Sequence, residues 1–332
     1  MINKIKSWIR QYRYLCLAVL LLALIILPSL GFKKAQIRFL CRLLLYSILA
    51  GSLNITNGYS GQTSLGHAAF YCVGAYTVAI LTAKCGWSFW LALPLSAVGA
   101  ILLAVLVSIP TVKLKGIYFS IVTLGMSEIV RIIALNWNSL TGGSLGIKNI
   151  PRPRLFGLVF DHPLKFYYLF LIVSVLFLFV SYRVIHSRIG NAWMSIRENE
   201  LAARSLGIRT RIYKMGNFAY GALWAGLAGG IYAAYMQYID SAVFSLEEGF
   251  NILSMVIIGG QGTLIGPLIG DLAVNGLTEL LRSIGEWRFV MYGILIIVMM
   301  WFRPQGLAGA SDSILAGKKI MKRRTVTEKK KE

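Results

Sequence analysis

The chain of 332 residues is 57% hydrophobic and only 14% charged, with a mean hydropathy of +0.67. A soluble domain carries about a quarter charged residues, so that class is excluded, and repeated apolar runs near the spanning length point to a polytopic membrane protein. A net charge of +21 would suit a nucleic-acid binder, but the Lys and Arg fall between the apolar runs and at both ends, as expected of topology control by cytoplasmic positive charge.

Residues 1–13 carry Lys4, Lys6, Arg10 and Arg13 and read as a cytoplasmic N-terminal segment. The apolar stretch 14–30 resembles a signal peptide but lacks a convincing small-x-small cleavage site, so it reads as an uncleaved first span. Nine more segments follow, at 39–56, 63–83, 89–110, 117–135, 166–185, 215–236, 249–259, 266–281 and 289–302. Segment 249–259 is too short to cross alone, and 63–83 and 266–281 each adjoin a Gly-rich break. The expected fold is all-α, with about 8–10 transmembrane or half-spanning helices in a permease-like domain over 14–307, compatible with an inverted repeat. A basic tail, 308–332, completes the chain. Charge bias places both termini, "KLKG" at 113–116 and the loop 186–214 in the cytoplasm, and 136–165 outside; "KKAQIR" at 33–38, Arg152 and Arg154 run against the bias. Cys16, Cys41, Cys72 and Cys85 have no metal-ligand or disulfide spacing.

The stretch "GYSGQTSLGHAAFYCVGAY" interrupts apolar sequence with hydrogen-bonding loop. Irregular backbone at membrane depth survives only where protein or a watery cavity satisfies it. Gly58, Gly61 and Gly66 permit unusual backbone angles, and Asn57, Gln62, Thr63 and Ser64 can satisfy freed groups or meet a passing solute. One reading is a broken helix lining a translocation path; the other is a tight loop followed by a closely packed helix that uses Gly66, Ala68, Ala69 and Gly74. His67 fits a hydrogen-bonded packing residue more readily than a proton carrier. "GQTSLG" at 61–66 has an echo in "GQGTLIG" at 260–266, one in each half of the chain, which is a pointer to a central pathway.

Charges inside spans are costly and usually face the bundle. Glu128 and Arg131 lie at i, i+3 and read as a structural ion pair. Arg42 is expected to snorkel, and Asp271 and Glu279 to need polar surroundings. In the basic loop, "RIGNAWMSIRENELAARSLGIRTRIYK" places Asn199 to cap a helix with Glu200 in its first turn and Gly207 at its end. The expectation is a short amphipathic helix over 190–207, outside the membrane. An interfacial helix on lipid heads is equally consistent with its composition.

"ENELAARSLG" resembles the Glu-x-Ala-Ala-x3-Gly coupling motif of ABC importer permeases, carried here by Glu200, Ala202, Ala203 and Gly207. Together with "GYSGQTSLGHAAFYCVGAY", "GIYFSIVTLGMSEIVR", "LTGGSLGI", "MVIIGGQGTLIGPLIG" and "FRPQGL", it makes residues 40–307 resemble the M-type permeases of branched-chain amino acid ABC importers. The resemblance implies a non-catalytic subunit of the bacterial inner membrane. Its implied partners are a second, H-type permease, two cytoplasmic ATPases and an extracytoplasmic binding protein. No cofactor would bind directly; ATP-Mg would be hydrolysed by the partners, in keeping with the lack of a G-x4-G-K-[ST] loop here. ATPase coupling would fall to Arg197, Glu198, Glu200, Ala202, Ala203 and Gly207. Path-lining candidates for an uncharged, moderately apolar solute are Gln62, Thr63, Ser64, His67, Thr123, Gln261 and Thr263. Related permeases for urea, amides or aromatic acids, a secondary transporter using Glu128, Asp271 and Glu279, and a membrane scaffold are the alternatives.

Overall fold

A computed structural model describes residues 33–114, 116–155 and 157–281, with short pieces at 24–25, 28, 290, 293–294, 297–298, 301–302 and 306–308. The expected first span 14–30 falls largely outside these residues, as do half of the last span 289–302 and nearly all of the tail.

The described chain is an α-helical bundle with two minimal two-stranded sheets. Helix α1 (Lys34–Asn54) runs on into a π-helical turn, Ile55–Tyr59. Next come α2 (His67–Ala79), with its own π turn Ile80–Lys84, α3 (Phe89–Thr111) and α4 (Ile117–Asn136). The strands β1 (Ile147–Lys148), β2 (Arg154–Leu155) and β3 (Leu158–Val159) lie in the segment before α5 (Pro163–Ile185). Two short helices, α6 (Arg188–Glu198) and α7 (Glu200–Ser205), lead into the long α8 (Thr210–Met236). After β4 (Tyr238–Ile239) come α9 (Leu246–Gly259) and α10 (Gly266–Leu280). β1 pairs antiparallel with β4, Ile147 opposite Ile239, and β2 with β3, Arg154 opposite Val159. The sheets gather at one end of the bundle. Helices α6 and α7 lie at the other, a full 23-residue α5 away.

Four described helices are long and apolar enough to cross a membrane: α1 with its π turn, α3, α4 and α5. They turn large apolar residues outward, among them Leu102, Leu106, Ile121, Ile132, Ile172 and Phe179, as lipid-facing helices do. This is an all-α polytopic membrane protein. The 14-residue α9 spans about 21 Å, short of the roughly 30 Å hydrocarbon core, in line with the half-spanning element expected there.

Helix α8 is the hub, and small residues make it so. It packs against α2 and α3 through Gly226, Gly229 and Gly230, all buried. A Cβ on Gly74 of α2 would collide with the backbone of Gly226, and one on Gly226 with Ser96 and Ala100 of α3. Three helix backbones therefore approach to the contact limit, where dispersion is the main cohesive force in lipid. Aromatic pairs fill the space around this seam, Phe70 on Phe218 at 5.1 Å and Phe177 on Trp224 at 5.2 Å.

Candidate coupling and translocation site

The opening break is folded into protein. Widening of α1 to a π turn frees carbonyls that an α-helix would pair, and a distant side chain and the following loop's backbone take them up. Asn217 of α8 donates to the Ile55 carbonyl at 3.1 Å, and Gln62 N donates to the Thr56 carbonyl at 3.3 Å. Asn57 clamps the loop, accepting from Ser64 N at 2.9 Å and donating to Ser64 O at 3.3 Å. Thr123 of α4 accepts from Leu65 N at 3.1 Å. Ser64, His67 and Thr123 are almost wholly buried, and His67 Nε2 lies 2.7 Å from Ser52 Oγ. His67 is thus placed as a packing residue between helices. Thr63 and Gln261 are exposed, and Gln62 is partly buried with an Oε1 that has no hydrogen-bond partner among the described residues.

The end of α1, just before the first echoing loop, meets the second loop, and Arg197 lies against Gly61 and Gly262 of the two loops. Asn54 donates to Thr263 O at 2.8 Å and accepts from Gly262 N at 2.8 Å, tying the end of α1 to the α9–α10 loop. A Cβ on Gly58 would strike Gly262 N, and Gly262 itself takes a φ of +78°, so both positions require glycine. Arg197 of α6 closes the junction by donating from its guanidinium to the Gly58 carbonyl. Residues near the C-terminus join it: Leu307 N bonds Ile258 O at 2.8 Å and Ala308 N bonds Gly259 O at 2.9 Å.

The segment 190–207 forms two helices rather than one. Asn199 accepts from Leu201 N at 3.0 Å and Ala202 N at 3.1 Å, which requires an extended backbone there (φ −156°, ψ 107°) and breaks the helix before it restarts. Gly207 adopts φ +82° just beyond α7. Trp193 anchors α6 by donating to Tyr213 O at 2.9 Å. Glu200 pairs with the buried Lys214 at 2.8 Å and with Arg204 at 3.5 Å, so its carboxylate is held within the chain. Ala203 is buried at 2% exposure, whereas Ala202 is exposed. The outward face of the pair bears Leu201 and Leu206, 67% and 82% exposed, and neither was singled out from the sequence. Glu198 is exposed beside them.

Glu128 and Arg131 form a two-pronged ion pair, Arg131 Nε lying 3.0 Å from both carboxylate oxygens, on a partly exposed face of α4. Asp271 is buried and accepts from Asn275 at 2.6 Å. Two clefts, of about 770 and 740 Å³, lie elsewhere, along α1, α9 and the sheet end. None of the seven path candidates lines either cleft. Arg42 lines both, its guanidinium 5.6 Å from the Tyr46 ring centre, rather than simply snorkelling. The signal for this region was the pair of carboxylates opening a segment too short to cross, "SLEEGFNILSM".

The description "Branched-chain amino acid transport system / permease component" matches residues 36–300, most of the chain. The chain belongs to the branched-chain amino acid transport permease family. It is 37% identical over 287 residues to the high-affinity branched-chain amino acid transport system permease protein LivM of Escherichia coli K12, covering 80% of this chain and 68% of that one. The Salmonella typhimurium LivM is 36% identical over the same coverage. A probable LivM from Methanocaldococcus jannaschii is 23% identical, across 79% of this chain and 90% of its own length. No solved structure matches the chain. Within a permease family, the junction of Gly58, Gly262 and Arg197 is an arrangement that can link α6 and α7 mechanically to the two breaks.

Proposed function

We propose that this permease is one membrane-spanning half of an ATP-driven importer of branched-chain amino acids in the bacterial inner membrane. Its partners are a second permease, two cytoplasmic ATPases and an extracytoplasmic binding protein, and it performs no catalysis of its own. Family membership supports the solute class, since the relatives at 36–37% identity carry that solute in their names. The basic ends and loop 186–214 support cytoplasmic termini, with the sheet end outside.

The observation that carries the coupling reading is the outward face of α6 and α7. It presents exposed Leu201 and Leu206 while its inner side is tied down by Trp193, Lys214 and Arg197. An apolar knob on a braced mount suits an ATPase groove. Closure of the ATPase pair would push it, and Arg197 would pass the movement to the Gly58–Gly262 junction, opening and closing the wall beside it. Solute selection would begin at the binding protein.

The test is co-purification and ATP-driven leucine uptake in proteoliposomes with Leu201→Asp and Leu206→Asp. Each substitution is expected to weaken ATPase association by about tenfold or more, the scale of a desolvated interface anchor, and to abolish uptake. Unchanged association and uptake would overturn the coupling role.

A further inference from the structure

We propose that Arg42 and Glu248 hold the zwitterionic head of the translocated amino acid in the cleft they share, Arg42 taking the α-carboxylate and Glu248 the α-ammonium; this rests on the importer reading above.

Both side chains line the 770 Å³ cleft between α1, α9 and α10. Neither forms an ion pair among the described residues, although two opposite charges in one cleft would ordinarily find partners. The Glu248 carboxylate is engaged by Tyr46 and Asn251, yet its Oε1 is cut off from solvent and has no hydrogen-bond partner among the described residues. A shielded carboxylate oxygen left without a donor is expensive and calls for one. A primary ammonium supplies three donors, and a guanidinium meets a carboxylate through two parallel N–H bonds. Glu247 also lines the cleft but is exposed; the pair offered to a zwitterion is the local one of Arg42 and the shielded Glu248. A carboxylic acid without an amine, or an amine without a carboxylate, would leave one charge unmatched.

The rest of the lining suits an aliphatic side chain. Val243, Leu253, Ile257 and Phe250 supply apolar surface, with Asn251 and Asn275 as the amide contribution. The second cleft shares Arg42 and Val243 with the first and reaches Arg152, Asp161 and His162 at the sheet end. Arg42 therefore stands where the two clefts join, on a route from the proposed external face inward.

The experiment uses the complete importer in proteoliposomes, with the native cysteines replaced, because Cys41 lines the second cleft. ATP-driven leucine uptake is measured first; its absence with the otherwise unaltered permease would sink the importer reading itself. Given uptake, Asn251→Cys reports on the cleft through its rate of alkylation. Leucine is expected to slow alkylation by about tenfold, while 4-methylpentanoate and 3-methylbutylamine, each lacking one charge, do not. Arg42→Gln or Glu248→Gln should remove the protection and lower uptake, and Arg42→Lys and Glu248→Asp should restore part of both. Protection by leucine that survives both neutral substitutions, or no protection while uptake proceeds, would overturn the assignment.

Discussion

At the scale of single residues, position 197 makes the sharpest claim. Its guanidinium spans from α6 to a carbonyl of the π turn. Arg197→Ala is expected to lower uptake by about tenfold while ATPase association is retained, since one link in a coupling chain carries energies of this order. Uptake and co-purification assayed together check it. His67 makes the opposite claim: buried against Ser52 and lining neither cleft, it should tolerate His67→Gln with uptake and its pH profile unchanged. An altered pH profile would reassign it. Residue types in the break were legible because glycine and amides at membrane depth have few uses. Their partners were not, because Asn54 and Thr263 are separated by 209 positions and no local pattern connects them.

At the scale of elements, the cap at Asn199 and the stop at Gly207 could be read directly, since both act over three or four residues. That Asn199 also ends α6 was not drawn from the same cap, although its extended backbone demands it. The orientation of α7 lay beyond the sequence as well. Glu200 and Ala203 turn toward the permease, because Lys214, 14 residues on, sits beneath them. Lys214→Ala would deprive the largely buried Glu200 carboxylate of its buried ammonium partner. A loss of about 1–3 kcal/mol in stability is expected, read as a lower melting temperature of the purified protein. Helix α9 shows a related limit. Its length was legible, but the cleft on its flank depends on α1 and α10, which no periodicity places beside it.

At the scale of the whole molecule, the bundle is organised on a seam of small residues along α8. Gly226→Leu would drive a side chain into Ser96 and Ala100, where backbone rather than a flexible side chain must yield. The expected cost exceeds about 3 kcal/mol, beyond ordinary overpacking, and should appear as loss of monodisperse protein on extraction. The same seam explains why composition disclosed the class so readily while topology around α8 was harder. Its glycines and alanines make it less apolar than the helices facing lipid, although it is among the most buried. The two breaks, one in each half of the chain, converge on one junction at the end that bears α6 and α7. On the proposed coupling, an impulse delivered there would reach both halves through a few hydrogen bonds.

The most direct test of this account is photo-crosslinking from a benzoylphenylalanine placed at position 206 in the assembled importer. The account predicts a covalent adduct with an ATPase subunit, with a yield that changes when ATP is added. Adducts to lipid alone, or an ATPase adduct with a yield indifferent to nucleotide, would contradict it.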